Sequence, residues 1–245
     1  MKTVITKKHG ISYKEYGSGK TIILLPSLFL SSYSYATIGK LLGNYYHVII
    51  PDLHRGKSTY SKINYSFDDY AKELFQFTSA LKIRKFSLMG ISFSTFIAIY
   101  YASKYPKTIK HLLLFSTTLV PEEIPNKWKI LFTGYSKLLS IYMQKSEGRK
   151  IWLLWFTDGL QTFFLHPRQT FWDNRITAHL KALPLNHSVH SVLIYAAKDE
   201  FLPKGHIEKQ KKKSIPIKVV EDYHAWMFLD KERFVEMVRN MIRMR

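Results

Sequence analysis

Short runs of apolar residues, bounded by turn residues, recur along the chain and predict buried strands. A continuous run of four to six apolar residues is typical of a strand that is covered on both faces. Runs that are apolar or nearly so occupy residues 21–25, 47–50, 86–89, 111–115, 192–196 and 217–220. Before them, residues 4–8 and 11–16 predict a hairpin that turns at His9-Gly10.

Helical patterns lie between these runs. Residues 94–105 predict a helix that ends at Pro106, and Ser66 with Asp69 predicts a capped helix start. Further helices are expected over residues 32–42, over 66–81 and, after Asp230, over 231–244. Strands that alternate with helices indicate the α/β class, with a doubly wound and mostly parallel sheet.

The segment 121–184 breaks the alternation, because it has two or three helical patterns and no convincing strand. We interpret it as a helical cap inserted into a core formed by residues 1–120 and 185–245. Its aromatic residues either build the core of a helical subdomain or form the roof of an apolar pocket. Residues 151–156 are apolar around the whole helix turn, which favours Trp152 and Trp155 as pocket residues over Trp128 and Trp172.

Length and composition set the class of protein. A chain of 245 residues can form one large α/β domain, and the absence of cysteine excludes disulfides and thiolate metal sites. The first eight residues show no apolar segment of a signal peptide, and the early run over 21–30 is too short to span a bilayer. A cytoplasmic location is expected.

The formal net charge is +19, but the lysines are scattered and form only one dense run, at residues 209–213. No nucleic-acid-binding pattern accompanies that run, so we interpret the charge as a solvated surface and expect no nucleic-acid partner. Weak association with an anionic membrane surface, or an anionic substrate, stays open.

The candidate chemistry begins at Gly90-Ile91-Ser92-Phe93-Ser94, where the strand over 86–89 ends and a helix starts at once. A serine on such a turn presents its hydroxyl beyond the sheet edge, next to the positive end of the helix. This pattern predicts Ser92 as a nucleophile. A second Gly-x-Ser, at Gly56-Lys57-Ser58, lacks the strand and the helix.

A serine nucleophile needs a base and an acid that orients the base. In a doubly wound sheet these groups lie in loops after later strands, which points to Asp199 and His224. Nine other histidines lie elsewhere in the chain, whereas only His224 follows the last strand. Glu200 competes with Asp199, and Glu221 and Asp222 compete less well.

The oxyanion of a tetrahedral intermediate needs two backbone N–H donors. The N–H of Phe93 is one candidate, because Phe93 follows the nucleophile. The second donor is expected in the loop after residues 22–25, where we choose Leu28 over its neighbour Phe29.

The motifs together resemble the α/β-hydrolase fold superfamily, of the small capped esterase, peptidase and C–C hydrolase type. The resemblance runs from about residue 11 to the C-terminus. It rests on the following motifs: residues 24–28, residues 51–58, residues 90–94, Asp199-x-x-x-Pro203 and His224. It implies a serine hydrolase that cleaves a small to medium carboxylic ester or related acyl substrate through an acyl-enzyme, without a cofactor or metal.

Two alternatives stay open. Ser27, Ser94 and Thr95 stand where the superfamily usually has glycine, which fits a non-catalytic ligand-binding protein of the same fold. The basic, tryptophan-rich cap fits a lipid hydrolase at a membrane surface.

Overall fold

A computed structural model describes residues 1–6, 10–53, 58–59, 64–121, 127–180, 182–203, 205–211 and 215–243, with only the backbone at 127–128, 130–131 and 178. The strands, in chain order, are β1 (Lys2–Ile5), β2 (Gly10–Tyr16), β3 (Thr21–Leu25), β4 (His47–Pro51), β5 (Phe86–Ile91), β6 (Ile109–Phe115), β7 (Ser191–Ala196) and β8 (Ile217–Val220). The helices are α1 (Ala36–Gly43), α2 (Phe67–Ala80), α3 (Ser94–Lys104), α4 (Lys127–Met143), α5 (Ser146–Leu165), α6 (Pro167–Ala178), α7 (His206–Gln210) and α8 (Lys231–Arg243).

All these strands join one sheet in the order β1-β2-β4-β3-β5-β6-β7-β8. The pairs β1–β2 and β2–β4 are antiparallel, and every other neighbouring pair is parallel. This confirms the α/β class and the mostly parallel sheet. Because β3 and β5 to β8 run in the same direction, the loops that follow them meet at one edge of the sheet.

The sheet carries a separate apolar layer on each face. Along β3, Ile22 and Leu24 pack into one layer, and Ile23 and Leu25 pack into the other. Helices α1 and α8 cover the first layer, while α2 and α3 cover the second. The alternation of side chains along each strand therefore explains why both faces of these apolar runs are buried.

Helix α2 begins as the sequence predicts. The Ser66 side chain accepts a hydrogen bond from the Asp69 N–H, and the Asp69 side chain accepts one from the Ser66 N–H. The carboxylate of Asp230 likewise accepts a hydrogen bond from the Arg233 N–H at the start of α8 (3.2 Å). Both caps satisfy backbone donors that the first turn of a helix leaves without a partner.

The start of α1 corrects the sequence-based prediction. A helix was expected from residue 32, but α1 begins at Ala36. The intervening serines instead donate hydrogen bonds to buried carboxylates: Ser32 to Asp52, and Ser31 and Ser34 to Asp158. Serine competes in this way with helical hydrogen bonding, so the chain runs through turns before the helix starts.

The segment between β6 and β7 contains α4, α5 and α6 and no strand among its described residues. Helix α5 packs against both α4 and α6. The division into core and cap stays a prediction. In the described part of the chain, no helix combines the length and apolar character needed to cross a membrane. The predicted turn at His9, the loop residues 54–57 and residues 212–213 of the basic run lie outside the described residues.

Candidate active site

Ser92 occupies the turn between β5 and α3 in a left-handed backbone conformation, with φ at 55°. A side chain with Cβ rarely adopts this conformation, and such strain concentrates at functional positions. Gly90 permits the tight approach of strand and helix, because a Cβ there would lie 2.7 Å from Thr95 Cα. The local sequence therefore builds the sharp strand-to-helix turn that exposes a serine hydroxyl.

The polar side chains that follow the turn, Ser94 and Thr95, form hydrogen bonds with neighbouring strands and loops. The Ser94 hydroxyl accepts from the Ile91 N–H (2.9 Å) and donates to the Leu25 carbonyl oxygen (2.7 Å). The Thr95 hydroxyl bonds to the hydroxyl of Thr117 (2.7 Å), just beyond β6. These side chains link β5, β3 and β6 around the turn.

Ser92, His224 and Asp199 come together at the carboxyl edge of the sheet. His224 Nε2 lies 2.9 Å from Ser92 Oγ, and His224 Nδ1 lies 2.7 Å from Asp199 Oδ2. The Asp199 side chain is 1% exposed, and its Oδ1 accepts a hydrogen bond from the Phe201 N–H (2.9 Å). The carboxylate is therefore held on both oxygens while it contacts the imidazole.

The competing acidic residues take other positions. Glu200 Oε2 accepts a hydrogen bond from the backbone N–H of His224 (2.9 Å) and so holds the main chain of that loop. Asp222 accepts a hydrogen bond from Arg233 (3.1 Å). Among the described residues, the acid that bonds to the His224 ring is therefore Asp199.

Two opposing effects act on the pKa of His224. Burial lowers this pKa, whereas the charge and hydrogen bond of Asp199 and the charge of Glu200 raise it, and the net result is a pKa above 6.5. Burial also raises the pKa of Glu200, against the opposing hydrogen bond from the His224 N–H. The imidazole is thus set up to accept and hold a proton beside Ser92.

Sequence reasoning missed the groups that hold the His224 loop. The Ser116 hydroxyl donates to the His224 carbonyl oxygen (2.6 Å), and the Tyr142 hydroxyl donates to the Ala225 carbonyl oxygen (2.6 Å). The Phe201 ring meets the His224 ring edge to face, with centroids 4.6 Å apart. These partners lie far away in sequence, so no local pattern could have identified Ser116 or Tyr142.

A cavity of about 440 Å³ opens beside the Ser92 hydroxyl. Its described lining contains no aspartate, glutamate, lysine or arginine, and His224 is its one basic side chain. Much of the lining consists of apolar residues of α4, α5 and the loops after β7 and β8. These include Tyr135, Leu138, Trp152, Trp155, Phe156, Leu160, Phe163, Phe201, Met227 and Phe228. The cavity therefore suits an uncharged apolar group.

The predicted oxyanion donors border the same cavity. Leu28, Phe29 and Phe93 all line it, and Phe29 has a positive φ of 65°. The loop before them is fixed by Tyr35, whose hydroxyl accepts from the Ser27 N–H (3.2 Å) and bonds to Ser27 Oγ (3.0 Å). The assignment of Leu28 and Phe93 as donors stays a prediction.

The four tryptophans of the predicted cap differ in position. Trp152 and Trp155 both line the cavity, and the Trp155 ring also packs on those of Tyr142 and Phe228, with centroids 4.7 and 4.8 Å away. Trp172 instead donates its indole N–H to the Tyr65 carbonyl oxygen (2.9 Å). The side chain of Trp128 lies outside the described residues. Substrate contact by Trp152 and Trp155 stays a prediction.

Asp158 of α5 joins that helix to the loop after β3. Its carboxylate accepts hydrogen bonds from the Ser31 N–H (2.8 Å), the Ser31 hydroxyl (2.6 Å) and the Ser34 hydroxyl (2.6 Å). Asp158 is buried. Because this loop also carries Leu28, one buried carboxylate connects the wall of the cavity to the predicted oxyanion loop.

Comparison with known proteins identifies one matching family model, two groups of curated relatives and several solved structures with the same fold. The family model described as alpha/beta hydrolase fold matches residues 20–151. Over 114 residues the chain is 26% identical to uncharacterized proteins of Mycobacterium tuberculosis and Mycobacterium bovis, an alignment that covers 46% of this chain and 33% of each relative. The chain thus spans about a third of the length of the curated relatives it matches.

Several solved structures share the fold over nearly their whole length. A thermophilic esterase from Thermogutta terrifontis has a TM-score of 0.76 at 16% identity, covering 99% of this chain and 97% of that one. An enol-lactonase from Burkholderia xenovorans LB400 has a TM-score of 0.72 at 15% identity, covering 98% and 99%. A mutant epoxide hydrolase from Bacillus megaterium has a TM-score of 0.73 at 14% identity, covering 98% and 99%. At these identities the likeness concerns the fold.

Proposed function

The chain belongs to the α/β-hydrolase fold family, and on that premise we propose that it is a serine hydrolase acting on an uncharged carboxylic ester or related acyl substrate. The observation that carries this proposal is the hydrogen-bonded series from Asp199 through His224 to Ser92, ending at an apolar cavity. A nucleophile, its base and the acid that orients the base are the parts that acyl transfer requires.

The proposed reaction starts from neutral His224. As Ser92 Oγ attacks the carbonyl carbon, its proton passes to His224 Nε2, and the imidazolium is stabilised by Asp199 at Nδ1. The backbone N–H groups of Phe93 and Leu28 hold the oxyanion of the tetrahedral intermediate. His224 then returns the proton to the leaving alkoxide, which departs as an alcohol. Water gives a proton to His224 as its oxygen attacks the acyl carbon. The bond between the acyl carbon and Ser92 Oγ then breaks, His224 returns the proton to Ser92 Oγ, and the carboxylic acid leaves.

The cavity supports the choice of substrate class. A charged acyl group would lose its hydration without meeting a described lining residue of opposite charge, and such a loss costs several kcal/mol. An aliphatic or aromatic acyl group instead gains about 25 cal/mol for each Å² of apolar surface that it buries. The proposal is therefore a small to medium apolar ester rather than an anionic one. Hydrolysis of a C–C bond is the alternative reaction at the same site, because one fold can support different reactions.

The first prediction tests the nucleophile with a fluorophosphonate probe and p-nitrophenyl esters. Wild-type protein is expected to become labelled at Ser92 and to hydrolyse the esters. Ser92→Ala is expected to lose labelling and to lower kcat by about 10⁶-fold, as when one member of a catalytic unit is removed. The thermal transition is expected to stay nearly unchanged, because only one hydroxyl is lost.

The matched control is Ser79→Ala, which removes an exposed hydroxyl from α2. It is expected to keep both labelling and turnover. A wild-type protein that binds apolar esters but neither reacts with the probe nor releases p-nitrophenol would favour the ligand-binding alternative. Full turnover by Ser92→Ala would exclude Ser92 as the nucleophile.

A further inference from the structure

Helices α4 and α5 each expose a row of large apolar side chains. On α5, Leu153, Phe156, Leu160 and Phe164 are 62%, 55%, 40% and 73% exposed, at spacings of three and four residues that place them on one face. On α4, the exposed residues Phe132, Leu139 and Met143 are seven and four residues apart, which also places them on one face of the helix. We call these seven side chains the cap face.

The cap face is not needed to build the protein interior. Helix α5 has a second apolar side, where Ile151 and Trp155 are buried in the main core. A surface helix of a soluble protein normally presents polar residues opposite its buried side. Phe163, which contacts both Phe164 and Phe171, extends the aromatic surface to α6, where Phe171 is also exposed. Exposed apolar surface of this kind marks an interaction site.

The charge of the same helices indicates the partner. Residues 127–180 contain eight lysines and arginines against three acidic residues. Two of those acids, Asp158 and Asp173, are buried, and the third, Glu147, pairs with Lys231 (3.3 Å). The described basic side chains of this segment are all exposed, and Lys129 and Lys150 each lie three residues before a member of the cap face. They are Lys129, Lys137, Lys145, Arg149, Lys150, Arg168 and Arg175. An apolar surface bordered by cations is complementary to a bilayer with anionic headgroups.

The charge also argues against a second copy of this chain as the partner. Two cap faces brought together would oppose two sets of seven described cations with few exposed acids between them. Like charges at such an interface are repulsive, and their desolvation adds to the cost. Anionic lipid headgroups remove that repulsion.

The cap face continues into the cavity. Phe156 and Leu160 belong to the exposed row on α5 and also line the space beside Ser92. An apolar molecule could therefore pass from the acyl region of a bilayer along these two side chains without crossing water. We propose that the cap face docks on an anionic lipid bilayer, and that the bilayer supplies the apolar ester. Docking stands on the surface alone, whereas delivery rests on the proposed hydrolase function.

Sedimentation with vesicles tests docking without reference to catalysis. The wild-type chain is expected to pellet with vesicles of phosphatidylcholine and phosphatidylglycerol in low salt. It is expected to stay in solution with phosphatidylcholine alone, and to be released from the anionic vesicles by 0.5 M NaCl. Ser92→Ala is expected to pellet as wild type does, so a failure of the hydrolase proposal leaves this measurement intact.

Two variants separate the apolar and the charged contributions. Leu153→Ser with Phe164→Ser removes exposed residues that do not line the cavity, and it is expected to weaken vesicle binding by about tenfold or more. Lys129→Gln with Lys150→Gln removes two exposed cations that each lie three residues before a cap-face residue, and it is expected to weaken binding by about tenfold and to reduce its salt dependence. The matched control, Ile5→Ser with Val219→Ser, removes exposed apolar residues outside the cap and is expected to bind as wild type does.

Hydrolysis of a short soluble ester is expected to be unchanged in the Leu153→Ser, Phe164→Ser variant, which also verifies its folding. Equal binding of that variant and the wild type to anionic vesicles would overturn the proposal. So would a wild-type dimer, measured by light scattering, that dissociates in this variant while no vesicle binding occurs. That result would assign the cap face to a second copy of the chain.

Discussion

At the scale of single residues, the His224 loop is held by two carboxylates with different tasks. Asp199 contacts the imidazole ring, whereas Glu200 contacts the backbone N–H of the same histidine. The two residues are adjacent in sequence, and both are largely buried. Their effects on the proposed reaction are therefore separable by substitutions that keep the shape of each side chain.

The second prediction compares Asp199→Asn with Glu200→Gln. An asparagine amide can donate to Nδ1, which favours the imidazole tautomer whose Nε2 carries the proton and cannot accept one from Ser92. We expect kcat/KM to fall by about 10⁴-fold for Asp199→Asn and by about tenfold or less for Glu200→Gln. Ester hydrolysis under matched conditions measures both. A larger loss for Glu200→Gln would reverse the two assignments.

The pH profile of the same variants gives a second measurement of this prediction. His224 must be neutral to act as a base, so kcat/KM of the wild type is expected to rise with pH through an apparent pKa above 6.5. Burial alone would lower the pKa of the imidazole, and the negative charges of Asp199 and Glu200 raise it. Neutralising either acid is therefore expected to move the rising limb to lower pH. A limb that moves to higher pH would contradict this electrostatic account.

At the scale of secondary-structure elements, helix α5 has three different environments along its surface: the core, the solvent and the loop after β3. Trp155 faces the core, Leu153 faces solvent, and Asp158 binds the serines of the loop after β3. The position of this helix and the position of the predicted oxyanion loop are therefore coupled through a few hydrogen bonds.

The third prediction tests that coupling with Asp158→Asn. One carboxylate oxygen that accepts hydrogen bonds is replaced by an amide donor facing Ser31 N–H and Ser34 hydroxyl, so we expect the free energy of unfolding to fall by about 1.5–3 kcal/mol. Because the loop carrying Leu28 shifts, kcat is expected to fall more than KM changes. Urea unfolding and ester kinetics measure the two effects.

Asp173→Asn is the matched control for Asp158→Asn. Asp173 is also buried on a neighbouring helix, where it accepts hydrogen bonds from the Tyr70 hydroxyl (2.8 Å) and the Gln169 amide (2.7 Å). These two partners belong to α2 and α6 rather than to the loop after β3. A loss of stability with unchanged kcat is expected there. Equal losses of kcat in the two variants would mean that destabilisation alone, rather than loop position, reduces turnover.

The fourth prediction separates the two tryptophans of the cavity. Trp155 is 8% exposed and packed among aromatic rings, so Trp155→Ala is expected to lower the free energy of unfolding by about 3–5 kcal/mol. Trp152 is only partly buried, so Trp152→Ala is expected to cost less stability. Removing a cavity wall weakens binding of the remote acyl group, so KM is expected to rise for p-nitrophenyl octanoate and to change little for the acetate.

Trp172→Ala is the control, because Trp172 bonds to Tyr65 and does not line the cavity. It is expected to change stability without changing the ratio of kcat/KM for the octanoate and the acetate. If both Trp152→Ala and Trp155→Ala leave the ratio of kcat/KM for the octanoate and the acetate unchanged, these tryptophans have a structural role and do not contact the acyl group.

The secondary-structure elements also differ in how well the sequence predicts them. The strands predicted from apolar runs and the Ser92 turn are encoded locally, by those runs and by Gly90, and their predictions are confirmed. The first strand was expected over residues 4–8, whereas β1 spans Lys2–Ile5. The predicted start of α1 was wrong because the serines before the helix bind carboxylates that are distant in sequence. Asp52 lies 20 residues after Ser32, and Asp158 lies 127 residues after Ser31. Likewise, the sequence offers Asp199 and Glu200 side by side, and only tertiary packing decides which of them contacts the ring.

At the scale of the whole molecule, the excess of positive charge at the surface is larger than the count of residues indicates. The formal net charge of +19 sets 37 lysines and arginines against 18 acidic residues. Several of those acids, including Asp52, Asp158, Asp173 and Asp199, are buried. Burial also raises the pKa of Asp52 to about 7, against opposing hydrogen bonds from Ser32 and Ser12, so this group is partly protonated at neutral pH. The surface cations therefore have few exposed anions to neutralise them.

The fifth prediction follows from this imbalance. Like charges on a compact chain repel one another and favour the expanded, unfolded state. Salt screens charges that are farther apart than the Debye length, which falls from about 30 Å at 0.01 M to about 10 Å at 0.1 M. We therefore expect the free energy of unfolding to rise by about 1 kcal/mol between 0.02 and 0.3 M NaCl, and Tm to rise by about 2–4 °C. Thermal unfolding followed by circular dichroism measures the shift.

The control for this prediction is a series of sucrose solutions of equal osmolality, which do not screen charge. A Tm that stays constant or falls with NaCl would show that the surface cations do not repel one another enough to affect folding. The same salt series is expected to act in the opposite direction on vesicle binding, because screening weakens attraction to anionic lipid as well as repulsion within the chain. Salt that stabilises the fold while releasing the protein from vesicles would assign both effects to the same surface charges. Hydrophobic association through the cap face alone would not be weakened by salt.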